Sequence, residues 1–514
     1  YRDKVRHAVL DLIDTLPLTL PINWRSDWWP IMMGIEHERI HLETSSVLIR
    51  QHKLDYIRSD PDWRPCPKTG EAPGRYMYHM VGPTDPLSFV GGATKFYGAA
   101  LYRMRESDFE ETQHEAGISP AWPISYADLE PYYAEGERLF RVHGSSEGDP
   151  SEPPRSGDYP HPPLPDDPLV AKLAARLRAS GTPVAPIPRG LDQGPDRPCR
   201  MCATCDAHVC RLDSKMDAEI AALRPALATG NVTLLTQADC LRVLTDEAGE
   251  RVTGVLLSLD GQEQAVEAGL VAVACGIPGS ATLLRKSRTS AHPEGLGNNR
   301  GALGRYLGGH HSGVIFPIVG MRPIGARHTK TIAINAFYHG DESHPAPLGV
   351  IQIAGQMPIW EGTSRLARPA VKAVATRSLT CFYMTEAVPT REAGLVFEGD
   401  RVARRVLPPE GPATFAMLRE RAVAAFRKAG YRVLPRSRCD LWHEVGTARM
   451  GSDPATSVVD PDCMVHGIEG LYVVDASVLP SAGAVNTGLT ILALALRAGA
   501  HIAGKTRSAA KAVA

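Results

Sequence analysis

An excess of charge of either sign is missing from this chain: 56 Lys and Arg face 57 Asp and Glu, a formal net charge of −1. That balance removes the electrostatic reason to expect nucleic acid or an anionic membrane as partner. Long hydrophobic runs are missing too, and no stretch approaches the roughly 20 apolar residues that span a bilayer. The start shows no charged-then-apolar leader, so a cytoplasmic protein is the expectation. Cysteine is scarce, with 10 in 514 residues, too few for a disulfide scaffold. What remains is ordinary globular material, 43% hydrophobic and 22% charged, long enough for two or more domains with large cores.

The most informative stretch lies near the C-terminus. Trp442-His443-Glu444-Val445-Gly446-Thr447 places one histidine in a turn-rich setting. Leu471-Tyr472-Val473-Val474-Asp475-Ala476-Ser477 reads as a buried strand ending in an acid and small residues. Asn486-Thr487-Gly488-Leu489-Thr490 is a turn opening an apolar helix from Leu489 to Ile502. A strand whose end meets a helix N-terminus suits anionic cofactor atoms, and a histidine nearby can move a proton. Taken singly, His443 reads as a satisfied core histidine and Asn486 as a helix cap.

Together these segments resemble the C-terminal half of the glucose–methanol–choline (GMC) oxidoreductases, flavoenzymes that oxidise alcohols. Further matches are Phe89-Val90-Gly91-Gly92-Ala93-Thr94, Ser119-Pro120-Ala121-Trp122-Pro123 and Leu129-Glu130-Pro131-Tyr132-Tyr133. The resemblance implies an α/β fold: a Rossmann-like FAD-binding domain over 81–310 and 441–505, and an α+β substrate domain with a mixed or antiparallel sheet over 311–440. It implies oxidation of an alcohol or sugar hydroxyl by hydride transfer to flavin, with His443 as base and Asn486 as its partner. Gly91, Gly92 and Thr94 would face the flavin pyrophosphate and ring, and Asp239 and Cys240 the adenine. Asp475 and Ala476 would lie by the ribityl–pyrophosphate chain, with Thr487, Gly488 and Leu489 by the ring. Electrons would leave to oxygen, a quinone or an acceptor protein.

The family's opening Gly-x-Gly-x-x-Gly turn, which sets a pyrophosphate on a helix N-terminus, does not precede Gly91. Gly295-Leu296-Gly297-Asn298-Asn299-Arg300-Gly301 has the wrong spacing and reads as a loop. Residues 1–80 stand where that unit belongs, so the FAD-binding domain is read as incomplete. They read as two helices, the second carrying His37 and His41 one turn apart on one face. Residues 1–73 resemble the iron-binding domain of ergothioneine and ovothiol sulfoxide synthases, in which the two histidines bind non-haem iron. Two ligands hold a metal weakly, so no working iron centre is expected. A catalytically silent fused or truncated fragment and a sulfoxide synthase remnant are the alternative readings.

Cys199, Cys202, Cys205 and Cys210 follow C-x2-C-x2-C-x4-C, close to a ferredoxin-type run. An iron–sulfur cluster is the first expectation, zinc with His208 the second, and plain loop thiols the third. Strands are expected at Asn231–Thr236, Val252–Leu257 and Leu270–Gly276. Helices are expected at Leu169–Ser180, Ala281–Lys286 and Pro412–Ala429, with a disordered tail from Lys505. The doublet His310-His311 is read as structural, because neighbours on an extended chain face opposite ways.

Overall fold

The computed structural model describes residues 90–513, except 203–204, 207–208, 211, 260, 299, 326–327, 355–363, 410–411 and 437. His37, His41 and His208 therefore lie outside the described residues.

The largest element is an antiparallel seven-stranded sheet. Its strands in chain order are β1 (Ala185–Pro186), β2 (Gly308–Ile318), β3 (Ile332–Ile334), β4 (Val350–Ile353), β5 (Cys381–Ala387), β6 (Arg432–Pro435) and β7 (Asp440–Val445). They run β6-β2-β5-β4-β3-β1, and β7 also pairs with β2. The long β2 thus serves two partners, with Gly308–Ser312 against β7 and Ile315–Ile318 against β6. Isoleucines from β2, β3 and β4 are buried against the helices Pro168–Ala179 and Pro412–Lys428, forming one apolar core with Leu173, Leu418 and Phe426. The sheet draws on 185–186 and 440–445 as well as on 308–435.

A second core surrounds two parallel strands, Val271–Val273 and Leu471–Val473, paired residue for residue from Leu471↔Val271 to Val473↔Val273. Both are continuous apolar runs; Leu471–Val473 is buried throughout, whereas Ala272 of the other strand is exposed. Against this core pack the helices Tyr126–Leu139 and Gly488–Val513. The first is capped reciprocally by Ser125 and Asp128, which satisfies backbone N–H groups at its open end. The two helices are joined by the Tyr133 and Thr490 hydroxyls, 2.8 Å apart. Their close approach requires Gly136: a Cβ there would stand 3.1 Å from Leu492 and 3.2 Å from Leu489. This contact sets where the second helix begins, and hence where Asn486 sits.

Three local expectations change. Asn231–Thr236 belongs to no strand; its side chains Val232, Leu234 and Leu235 are exposed, and β-forming residues make a strand only beside a neighbouring one. The helix expected from Ala281 starts at Gly276, because proline is tolerated in a first turn where its missing N–H has no helical partner. The last helix continues through Val513. Among the described residues, no helix is long and apolar enough to cross a membrane.

Candidate active site

His443 lies on β7 at a β-bulge. The β2–β7 register shifts between Gly308 and His310, and His443 itself takes a left-handed backbone with φ of 49°. A non-glycine residue held there is strained, and such strain is sustained only by its surroundings. The surroundings are specific. Gly446, Ala448 and Met450 donate backbone hydrogen bonds to Ala476, Ser477 and Val478, so the chain after His443 is laced to the turn that follows the parallel strand. Gly309, opposite the bulge, has no room for a side chain: a Cβ would meet the Trp442 carbonyl at 2.7 Å.

The bulge turns the imidazole of His443 toward His310. Their Nδ1 atoms are 2.9 Å apart, and His310 Nε2 is 3.3 Å from the Ala482 carbonyl. These contacts decide the tautomers. A carbonyl only accepts, so His310 carries its proton on Nε2 and presents a lone pair at Nδ1. His443 must then donate from Nδ1, which leaves its Nε2 as the free base. That nitrogen is 3.4 Å from Asn486 Nδ2. The Asn486 amide is oriented in turn by Gln352, whose Nε2 donates to Asn486 Oδ1 at 2.7 Å. The outcome is a basic lone pair and an amide donor facing one another across a gap slightly long for a direct hydrogen bond.

Both imidazoles are kept neutral. Burial, then the positive potential of His443, pushes His310 down to about 3. His443 is open to solvent along one edge, yet protein packs its other faces; desolvation, with Lys330 adding to it, pulls it down to about 4.

The other expected residues fall into distinct places. Asn486, Thr487, Gly488 and Leu489 form the entry to the last helix, with Thr487 and Leu489 buried. Asp475 is a structural tie: its Oδ2 accepts from Gly276 N at 2.9 Å and from the Ser280 hydroxyl, and its Oδ1 from Ser477 N at 2.8 Å. It fastens the end of Leu471–Val473 to the helix beginning at Gly276, and Ala476 follows in a short 3-10 turn. Gly91 and Gly92 both have positive φ, 90° and 51°, which glycine alone adopts freely. The Thr94 hydroxyl closes that turn on the Gly91 carbonyl and receives Ala218 N at 3.0 Å. Asp239 and Cys240 lie on a separate antiparallel sheet, Ala238–Thr245 with Val252–Leu259 and Gln262–Glu267.

The cysteine quartet does not fit a cluster. Among the described residues, no three cysteine, histidine or carboxylate side chains are grouped to hold a metal. Cys210 Sγ accepts from Ser214 N at 3.3 Å. A hydrogen bond from Cys202 stabilises the Cys205 thiolate and brings its pKa to about 7. Beside them Lys215 bonds the carbonyls of Tyr97 and Cys205, and its burial lowers it to about 8. The iron–sulfur expectation thus finds no support among the described residues, where the thiols share one loop region without a metal-holding group.

Two family models, both described as GMC oxidoreductase, match residues 86–312 and 391–495. Paromamine 6'-oxidase of Streptomyces fradiae is 31% identical over 441 residues, covering 81% of this chain and 79% of that protein. The chain belongs to the GMC oxidoreductase family. A second relative, 2-methyl-1,2-propanediol dehydrogenase of Mycolicibacterium austroafricanum, is 27% identical over 505 residues, covering 91% and 88%. The crystal structure of pyridoxine 4-oxidase from "Mesorbium loti" superposes with a TM-score of 0.55 at 18% identity, covering 80% of this chain and 83% of that one, a likeness of fold. As a GMC family member the protein is an oxidoreductase of alcohol or sugar hydroxyls, and the family implies FAD. Toward such a cofactor the chain offers the exposed His443 imidazole and, 3.4 Å from it, the Asn486 amide.

Sequence reading missed His310, Gln352 and the acid Glu386, which pairs across strands with His310. The histidine doublet was the available signal for the first; nothing adjacent in sequence marks the other two.

Proposed function

We propose that this protein oxidises the CH–OH group of a small hydroxylated substrate, with His443 Nε2 as proton acceptor and Asn486 Nδ2 as donor to the substrate oxygen. The observation that carries the reading is the directed chain Ala482 carbonyl–His310–His443, which leaves one lone pair opposite one amide N–H. FAD, when bound, supplies the hydride acceptor. The protein's own part is to take the hydroxyl proton and to stabilise negative charge building on oxygen. A histidine neutral well below pH 7 is always ready to accept. The amide, held by Gln352, offers its N–H without reorganising. His310 presents a lone pair to His443 and its burial disfavours a charged ring, so it orients His443 and fixes its tautomer.

The test is anaerobic stopped-flow reduction of FAD-loaded protein by alcohols and sugars. A His443→Ala variant should keep its flavin absorbance but lose roughly 10²–10⁴-fold in the reduction rate, the usual worth of a positioned base. Reduction at the wild-type rate would remove His443 from this role.

A further inference from the structure

Beside the catalytic pair lies a cavity of about 190 Å³ whose wall includes Asp108, Glu386, His114, Tyr338, Ser119 and Gly483. That is space for several waters of roughly 30 Å³ each, or for one substituent of a substrate. No lysine or arginine lines it. The Arg105 guanidinium bonds Asp149 Oδ2 at 2.9 Å and stacks over the Tyr338 ring, and its charge offsets that of Asp108 in part.

Each of the two wall carboxyls takes its hydrogen bonds on one oxygen only. Asp108 Oδ2 accepts from Arg105 N and from the Tyr338 hydroxyl, both at 2.6 Å, leaving Oδ1 for the cavity. Glu386 Oε1 accepts from the Ser119 hydroxyl at 3.0 Å and Ala482 N at 3.2 Å. Its Oε2 is 3.1 Å from His114 Nε2, but the two are misaligned, and that buried ring nitrogen has no hydrogen-bond partner. His114 is 8% exposed. Burial holds Asp108 up to about 6, as befits a carboxyl whose charge lacks a full counterweight. Two carboxylate oxygens and an imidazole nitrogen thus border a space that no lysine or arginine lines.

The cavity adjoins the site of chemistry. Glu386 and His310 are cross-strand partners on β5 and β2. The peptide of Ala482 bonds Glu386 through its N–H and His310 through its carbonyl. Gly483 and Ala484 wall the cavity, and Asn486 follows two residues later.

We propose that this cavity is a subsite for a protonated amine on the substrate, held by Glu386 and Asp108, so that the preferred substrates are amino alcohols or aminosugars. The inference rests on the oxidation assigned above to His443 and Asn486. An ammonium group offers three donors, enough to meet the open oxygens of both carboxylates. A bare metal ion suits them less, because these side chains are not grouped in a metal-holding arrangement.

The experiment uses full-length, FAD-loaded protein at pH 7.5 with matched pairs: glucosamine against glucose, and 3-aminopropan-1-ol against propane-1,3-diol. The amine should be favoured at least tenfold in kcat/KM in one or both pairs, and Glu386→Gln and Asp108→Asn should each cut that preference at least tenfold. Should a variant fail to retain flavin, the wild type decides: propylammonium chloride should inhibit competitively where sodium chloride at equal ionic strength does not. Equal or better use of both neutral members, or no inhibition by propylammonium, overturns the subsite while leaving the oxidation itself intact. Calorimetric binding of glucosamine that Glu386→Gln abolishes, in a protein whose flavin no alcohol reduces, would instead uphold the subsite and sink the oxidation.

Discussion

Gln352 Nε2 donates to Asn486 Oδ1 at 2.7 Å, and this one contact decides which end of the Asn486 amide meets His443. Gln352 is buried in β4 at 1% exposure, so Gln352→Leu keeps the volume and removes the donor. The Asn486 amide is then free to turn. Flavin reduction should slow about tenfold, with flavin content unchanged. Asn486→Asp, which replaces the donor by an acceptor, should cost about 10²–10³-fold, the range seen for loss of a preorganised donor. Stopped-flow rates on both variants check the order of the two effects.

The pH response follows from the two neutral imidazoles. His443 is held at about 4 and His310 at about 3, below the ordinary 6.5. A base works only when deprotonated, so alcohol-dependent flavin reduction should stay full as pH falls through 6.5 and decline only toward 4. Stability behaves differently. Between about 6.5 and 4 the unfolded chain binds protons at both histidines and the folded chain does not, so the fold weakens as pH is lowered through that window. Thermal melts at pH 7.5, 6 and 5 should fall in that order, while the rate barely changes.

Gly309→Ala tests the bulge. With φ of 150° and a Cβ 2.7 Å from the Trp442 carbonyl, the substitution must push β7 away from β2. A loss of about 1–3 kcal/mol is expected from overpacking. Because the displaced strand carries His443, flavin reduction should fall by more than the loss of folded protein explains. Parallel measurement of melting temperature and rate separates the two.

Asp475→Ala should be a stability variant. It strands the N–H groups of Gly276 and Ser477 near a buried turn, at a cost on the order of 3 kcal/mol. A lowered denaturation midpoint with unchanged slope is the expected reading.

Iron chelation should have no effect on the visible spectrum or on turnover, since the described cysteines do not assemble a metal site. Chelator-dependent bleaching would contradict this.

That His443 and Asn486 come together was legible in the sequence because each sits in a local pattern, a Val-Gly-Thr turn and an Asn-Thr-Gly helix entry, whose short-range geometry is carried by neighbours. The parallel pair was legible for a similar reason: Leu471–Val473 and Val271–Val273 are apolar without alternation. His310 was not, because a doublet on a strand gives one side chain to each face and only the bulge settles which meets the site. Gln352, Glu386 and Asp108 come from three distant segments joined by sheet register, which no local spacing records. The cysteine run misled in the opposite direction, since matching intervals along the chain say nothing of where each thiol points.

The tautomer of His310 is set by a main-chain atom, the carbonyl of Ala482. The proton order therefore depends on the backbone path at 482, while the fully buried Ala482 methyl limits that position to small side chains. Adding or removing one residue between 480 and 485 would shift that carbonyl and the Asn486 amide together. Natural variation in this turn should therefore preserve its length first, and within that length exchange only residues of similar small volume.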